Sequence, residues 1–206
     1  MLTTAAIARA IAGIHAGIAA IAEELNAADR LLGDGDTGMT VAQVVAAWAA
    51  ACPSLPPDVG AALLALGRET GRASGSSLAA VLSMGLSAAG RSARGKEALA
   101  GSEVVALLNA AAAVITERSG ATPGDKSILD SLLRVESDLA ADDASANLLD
   151  AAAAAAAAAL DEFRGRESRL GRARMYGARS VGYDDPGMLA AVLLLAAVRR
   201  DGAAPG

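Results

Sequence analysis

Ile7, Ile11, Ile14, Ile18, Ile21 and Leu25 recur at intervals of four, three, four, three and four residues. A strand turns its faces over every two residues and a helix every 3.6, so only a helix gathers all six on one side. The stripe is the seam of a helix that packs along its length against neighbours. The spacing predicts a helix running to about Leu32 and closing at Gly33. A chain that begins this way must supply apolar partners for that seam.

The rest of the sequence does so in the same period. A second helix is predicted from near Thr37, carrying Val41, Val44, Val45 and Trp48, up to the Cys52-Pro-Ser-Leu-Pro-Pro57 break. Further helices are predicted over 58–69, 74–90, 101–118, 126–140, 144–163 and 185–200. The breaks between the later ones fall at Gly71 to Gly75, Gly90 to Gly101, Ser119 to Gly124, and Arg164 to Asp184. That makes eight helices with no convincing alternating strand and no repeat. The nine-alanine run 151–159 reads as a close-packed helix, since alanine is the best helix former. Hydrophobic residues make up 53% of the chain and aromatics only 2%, so small side chains and close helix approach replace large anchors. The expected fold is all-α: one bundle with short loops, a single domain over 1–206.

A net charge of −5 disfavours general nucleic-acid binding. Cys52 is the only cysteine, which excludes an internal disulfide and a cysteine-based zinc site. Arg9 and His15 interrupt the apolar start, and no basic leader precedes it, so no membrane association is expected and the protein reads as soluble and cytoplasmic.

The chemistry collects in the breaks. Asp29-Arg-Leu-Leu-Gly-Asp-Gly-Asp-Thr-Gly38 sets Asp29, Asp34 and Asp36 among Gly33, Gly35 and Gly38. Crowded carboxylates repel, by roughly 4 kcal/mol for a pair about 4 Å apart at an effective dielectric near 20. A divalent cation joining them removes that cost, so the cluster reads as a hard-metal site. The dinucleotide pattern in Gly33-x-Gly35-x-x-Gly38 is set aside because a helix, not a strand, precedes it. An EF-hand starting at Asp34 fails at Met39 and Val45. A solvated capping loop is the plain alternative.

Three other breaks suit an anion. Thr70-Gly-Arg-Ala-Ser-Gly-Ser-Ser77 opens a helix near Leu78 without a Walker lysine, either as a backbone anion site or as an ordinary serine cap. Pro123-Gly-Asp-Lys-Ser-Ile-Leu-Asp130 places Lys126, one of two lysines, at a helix start, where a phosphate contact and a solvated cap are equally compatible. Arg164, Arg166, Arg169, Arg172, Arg174 and Arg179 crowd a single loop of an acidic chain, a pattern suited to phosphate. The Ser180-Val-Gly-Tyr-Asp-Asp-Pro-Gly187 segment follows, with Asp185 placed to cap the last helix and Pro186 at its first position. A metal cluster beside phosphate-competent loops suggests a nucleotide bound through magnesium.

These segments, written Asp29-x4-Asp34-Gly-Asp36-x-Gly38, Gly71-x-x-Ser74-Gly75, Gly124-Asp-Lys-Ser-x-x-Asp130 and Gly171-Arg-Ala-x-x-Tyr-Gly-x-Arg-Ser-x-Gly182-x-x-Asp-Pro-Gly187, resemble the L (nucleotide-binding) domain of dihydroxyacetone kinases in that family's order. The resemblance covers nearly the whole chain. It implies a barrel-like bundle of eight antiparallel helices with Mg2+ and ADP or ATP held by the loops at one end. It implies metal ligation by Asp29, Asp34 and Asp36, and nucleotide contacts from Thr37, Gly38, Thr40, Ser74, Gly75, Lys126, Ile128, Arg172, Asp185, Pro186 and Gly187. No residue of this chain is implied to be catalytic in itself. The partner implied is a separate K-type subunit that holds dihydroxyacetone on a histidine; a phosphotransferase-system donor subunit and a homodimer are compatible with it.

The sequence departs from that pattern in places. His15, the only histidine, lies inside the first helix with no substrate role. Thr37 stands where phosphotransferase-dependent L subunits carry histidine, which leaves both exchangeable ATP and retained, rephosphorylated ADP open. Ile128 stands where methionine is usual. The expectation is a phosphoryl-transfer subunit inactive without a K-type partner. The alternative is a nucleotide-binding regulatory module, or the nucleotide domain of a kinase for another acceptor.

Overall fold

The computed structural model describes residues 1–141 and 147–202. Eight α-helices carry the fold: α1 Thr4–Leu32, α2 Thr37–Ala51, α3 Val59–Ala73, α4 Ser77–Ser92, α5 Gly101–Ser119, α6 Ile128–Ala141, α7 Leu148–Arg164 and α8 Pro186–Gly202. All-α is what the periodicity predicts, and most boundaries fall within a turn of the expected ones. The start expected for the seventh helix, at 144, lies outside the described residues. One departure is a two-residue antiparallel bridge, Leu2–Thr3 (β1) with Ala98–Leu99 (β2). Two residues carry no period, so no pattern announces them.

Helix starts are fixed by local acceptors. Thr3, Asp58, Ser76 and Asn147 cap α1, α3, α4 and α7, accepting from Ala6, Ala61, Ala79 and Asp150 N–H groups. Glu103 reaches back to the Ala100 N–H at the start of α5, at 2.7 Å. Helix α5 ends at Gly120 in the left-handed region (φ 74°).

Each helix packs on its neighbours in sequence, and α8 closes on α1, so the contact order forms a closed cycle. The α1 seam is what closes it. Ile14, Ile21 and Leu25 are buried with Val41 and Val45 of α2, Phe163 of α7 and Met188 of α8. By length and composition α1 could cross a membrane, but its seam is occupied by these helices. On the facing helices α3 and α4, a Cβ on Gly60 would lie 2.5 Å from the Gly90 carbonyl, so these backbones touch. Small residues fill the cycle incompletely. The buried hydrophobics fall into four separate clusters, and an apolar cavity of about 1090 Å³ remains, lined among others by Ile7, Leu63, Leu86, Leu107, Leu132 and Leu195.

Alternating helices sort the connections to two ends. At one end Thr4 donates to the Pro57 carbonyl, and Asp58 accepts from Gly95. At the other, the α5–α6 and α7–α8 connections join through the Arg169 N–H to the Asp125 carbonyl (2.9 Å), and Arg172 reaches Asp34 between α1 and α2. All four anion- and metal-competent breaks belong to that second end.

Candidate functional site

The three carboxylates come together as expected: Asp29, Asp34 and Asp36 each offer an oxygen, all within 4.8 Å of one another. Their environments differ. Asp29 is buried in the last turn of α1, and its Oδ2 accepts the Asp36 N–H (2.9 Å) and the Thr37 N–H (3.1 Å). It therefore caps α2 from a neighbouring helix, since Asp36 at the cap position makes no capping bond itself. Asp34 and Asp36 lie on the loop between. Gly35 sits there with φ 79°, a conformation side chains resist. Burial first, then the neighbouring Asp34, pushes the Asp36 carboxyl above its ordinary pKa, with Arg172 opposing. The cluster holds more like charge than its protein surroundings neutralise.

Among the described residues Arg172 supplies the cation paired with these groups, meeting Asp34 and lying 3.9 Å from Asp36. It comes from the arginine-rich α7–α8 connection, of which Ala173–Ser180 is 3-10 helical and broken at Gly177. Other arginines of that run serve the protein itself. Arg164 grips Asp184 at 2.7 and 3.1 Å and Asp161 at 2.8 Å; Arg166 pairs with Glu162 and lies over Phe163; Arg179 lies over Tyr176.

The start of α2 is more closed than the sequence suggests. Asn26 Oδ1, one turn before Asp29 on α1, accepts the Gly38 N–H (2.7 Å) and the Met39 N–H (3.3 Å). A Cβ on Gly38 would lie 1.9 Å from the Ala22 carbonyl, which is why this position is glycine. Gly38 and Thr40 are buried, and the N–H groups of Thr37 and Gly38 are spent on α1. Gly38, expected at the nucleotide, also brings α1 and α2 into contact. Asn26 was not singled out from the sequence. Its signal was its place three residues before Asp29, on the same helix face.

Lys126, expected at a phosphate, is turned into the protein. Lys126 is 1% exposed, and its Nζ donates to the carbonyls of Arg166 (2.9 Å), Ser180 (2.9 Å) and Arg164 (3.4 Å). All three donors of the ammonium are used inside the protein, so none is left for a phosphate. Burial lowers its pKa below the ordinary lysine value, against the pull of Asp185 and Asp184.

Ile128 opens α6 and also lines the apolar cavity; its Cβ is 3.5 Å from where a Cβ on Gly187 would lie. Asp185 caps α8 as expected, its Oδ1 accepting the Met188 N–H at 2.9 Å, with Pro186 buried at the first helical position. Burial pushes the Asp185 carboxyl up to about 6. Ser74 and Gly75 precede α4. Ser74 Oγ accepts the Ser76 N–H at 3.3 Å, Ser76 caps Ala79, and nothing lies within 4 Å of a Cβ on Gly75.

Set against known proteins, residues 31–200 match the DAK2 domain family, a stretch that begins just after Asp29. The chain is similar to two solved structures of the dihydroxyacetone kinase of C. freundii, one of the native form and one in complex with AMP-PNP and Mg2+. In each the identity is 25% and the TM-score 0.76, covering 95% of this chain and 34% of that one. The chain thus spans about a third of the length of those kinases. No curated protein sequence matches it. A helical cycle with its acidic loop and arginine strap at one end, matched over 31–200, makes this chain a member of the DAK2 domain family.

Proposed function

We propose that the chain is a single L-type domain that binds Mg2+ and ADP or ATP, the phosphoryl-transfer subunit of a kinase for dihydroxyacetone or a related small ketose. The carrying observation is the conjunction of Asp29, Asp34 and Asp36 within 4.8 Å with Arg172 reaching the same carboxylates from another loop. An all-oxygen, charged donor set suits a hard divalent cation; burial first, and then the neighbouring Asp34 charge that such a cation would offset, raise the Asp36 pKa. The C. freundii kinase solved with AMP-PNP and Mg2+ supports the same pair of ligands.

Magnesium, when bound, neutralises charge on the transferred phosphoryl group. Asp34 and Asp36 would hold it from the loop, with Asp29 positioning that loop through the Asp36 and Thr37 N–H groups. The Arg172 guanidinium, fixed beside the carboxylates, has a planar fork suited to phosphate oxygens. The turn at Ser74 and Gly75, which leads into α4, would offer backbone N–H groups to the phosphate chain. Acceptor binding falls to a K-type partner. In support, Leu31, Met39, Met175, Val181 and Tyr183, five of the six exposed large hydrophobics among the described residues, lie in or beside these loops in the chain and offer apolar surface for docking.

The test is calorimetric titration of the chain with ADP and with ATP, with Mg2+ and with chelator, followed by a transfer assay with a K-type subunit and dihydroxyacetone. Magnesium-dependent binding and phosphate transfer are expected. No binding at millimolar nucleotide refutes the reading; tight binding without transfer to any ketose refutes the kinase assignment.

A further inference from the structure

Lys126 combines two features that a surface cap would not. It is the only non-glycine residue at positive φ among the described residues (63°), and it is among the most buried side chains of the protein. The left-handed conformation costs about 1–2 kcal/mol for a residue with a Cβ, and burying an ammonium costs more unless every donor is met. Strain of this kind persists only where the surroundings over-determine it. What they determine is the direction of the ammonium.

The three acceptors are not neighbours in sequence. Arg164 and Arg166 lie where the chain leaves α7, and Ser180 lies where the same connection returns. Around this point Ser180 Oγ accepts the Ser168 N–H (2.8 Å) and donates to the Gly177 carbonyl (2.6 Å), and Gly182 N–H meets the Arg164 carbonyl (2.8 Å). The connection is therefore an Ω-type loop whose neck closes on one buried ammonium. Arg172 projects from the loop so closed and pairs with Asp34. A flexible loop would spread Arg172 over many positions, so closing the neck limits where the guanidinium can reach.

We propose that Lys126 is a positioning residue: by tying together the two ends of the 164–180 loop it holds Arg172 over the carboxylate cluster. This rests on the nucleotide reading only for its consequence, not for its geometry. Lysine suits the task because its three N–H donors converge on three carbonyls from one atom, which the planar arginine fork cannot do.

The test uses Lys126→Met, which keeps the apolar stem, and Arg172→Ala, singly and together. Hydrogen exchange of residues 165–179 is expected to quicken by about tenfold or more in Lys126→Met, while α1 to α3 stay within about twofold. Each single variant is expected to weaken Mg-ADP binding about tenfold, and the double variant by no more than about twofold beyond the weaker single, because both remove one function. Unchanged exchange in the loop, or an additive loss near a hundredfold in the double variant, overturns the proposal. If Lys126→Met does not fold, Ser180→Ala loosens the same neck without touching the buried charge, and its cycle with Arg172→Ala decides in the same way. If the unmodified chain binds no nucleotide, the functional reading fails, and the exchange result alone still decides the positioning role.

Discussion

Replacing Asp34 by asparagine separates what the acidic cluster does for the fold from what it does for a ligand. The Asp34 side chain is 42% exposed, and among the described residues its ion-pair partner is the Arg172 guanidinium. Against that pair stand two like charges within 4.8 Å. Each repulsion is worth about 3.5 kcal/mol at an effective dielectric near 20 and about 0.9 kcal/mol in bulk water, and a half-exposed loop lies nearer the second value. The exposed ion pair returns about 0–1 kcal/mol. The balance favours the variant: Asp34→Asn should be as stable as the parent or about 1 kcal/mol more so, a rise of about 2–4 °C for a chain of this size. With Mg-ADP the order reverses. Ligand at about 100 times Kd stabilises by about 2.7 kcal/mol, and a variant binding tenfold more weakly gains only about half as much. Thermal unfolding followed by circular dichroism, with and without Mg-ADP, reads both effects. A variant less stable than the parent in buffer, or one that gains as much from the ligand, refutes the claim that Asp34 is kept for a cation.

The other two predictions concern groups that act inside the fold. Asp29→Ala strands the Asp36 and Thr37 N–H groups and should cost about 2–3 kcal/mol. Asp29→Asn keeps an acceptor and should cost less in denaturant titration, so equal stabilities would show that the cap is idle. Asp185 gives a pH dependence. Its carboxyl stands at about 6, against an ordinary 3.8, because burial disfavours the charge more than the Met188 and Gly187 N–H groups favour it. The folded chain then holds that proton more tightly than the unfolded one. Its contribution is complete below pH 3.8 and is lost as the pH rises through about 6, on the order of 2–3 kcal/mol over the window. Asp185→Asn should flatten that part of the stability profile, and an unchanged slope would reject the assignment.

What the sequence revealed divides along a physical line. The α1 seam and the helix breaks were legible because they are local periods and local turn chemistry, and the Asp29 cluster was legible because its members lie within eight residues. Lys126 was not. A lysine at a helix start reads the same whether its ammonium points out to a phosphate or inward. The acceptors that decide the question lie 38 to 54 residues later, on a loop without regular period. The backbone partners of Thr37 and Gly38 were hidden for a related reason. A helix start announces free N–H groups, and nothing local says that Asn26 and Asp29 on the preceding helix have already taken them.

That difference bears on where a phosphate chain can lie. Four helices begin at this end, and three have a carboxylate at their first turn: Asp29 at α2, Asp130 at α6, where it accepts the Ser127 N–H at 2.8 Å, and Asp185 at α8. A carboxylate there satisfies the donors and cancels the positive end of the helix dipole, so each of these starts repels a second anion. Helix α4 differs. Its cap is the neutral Ser76, bonded to the Ala79 N–H, and the space beside Gly75 is open. The positive end of α4 is the one left uncompensated. The electrostatics therefore divide the site between a carboxylate side that wants a cation and an α4 side that wants an anion. Magnesium with a phosphate chain is a ligand that carries both charges in that order.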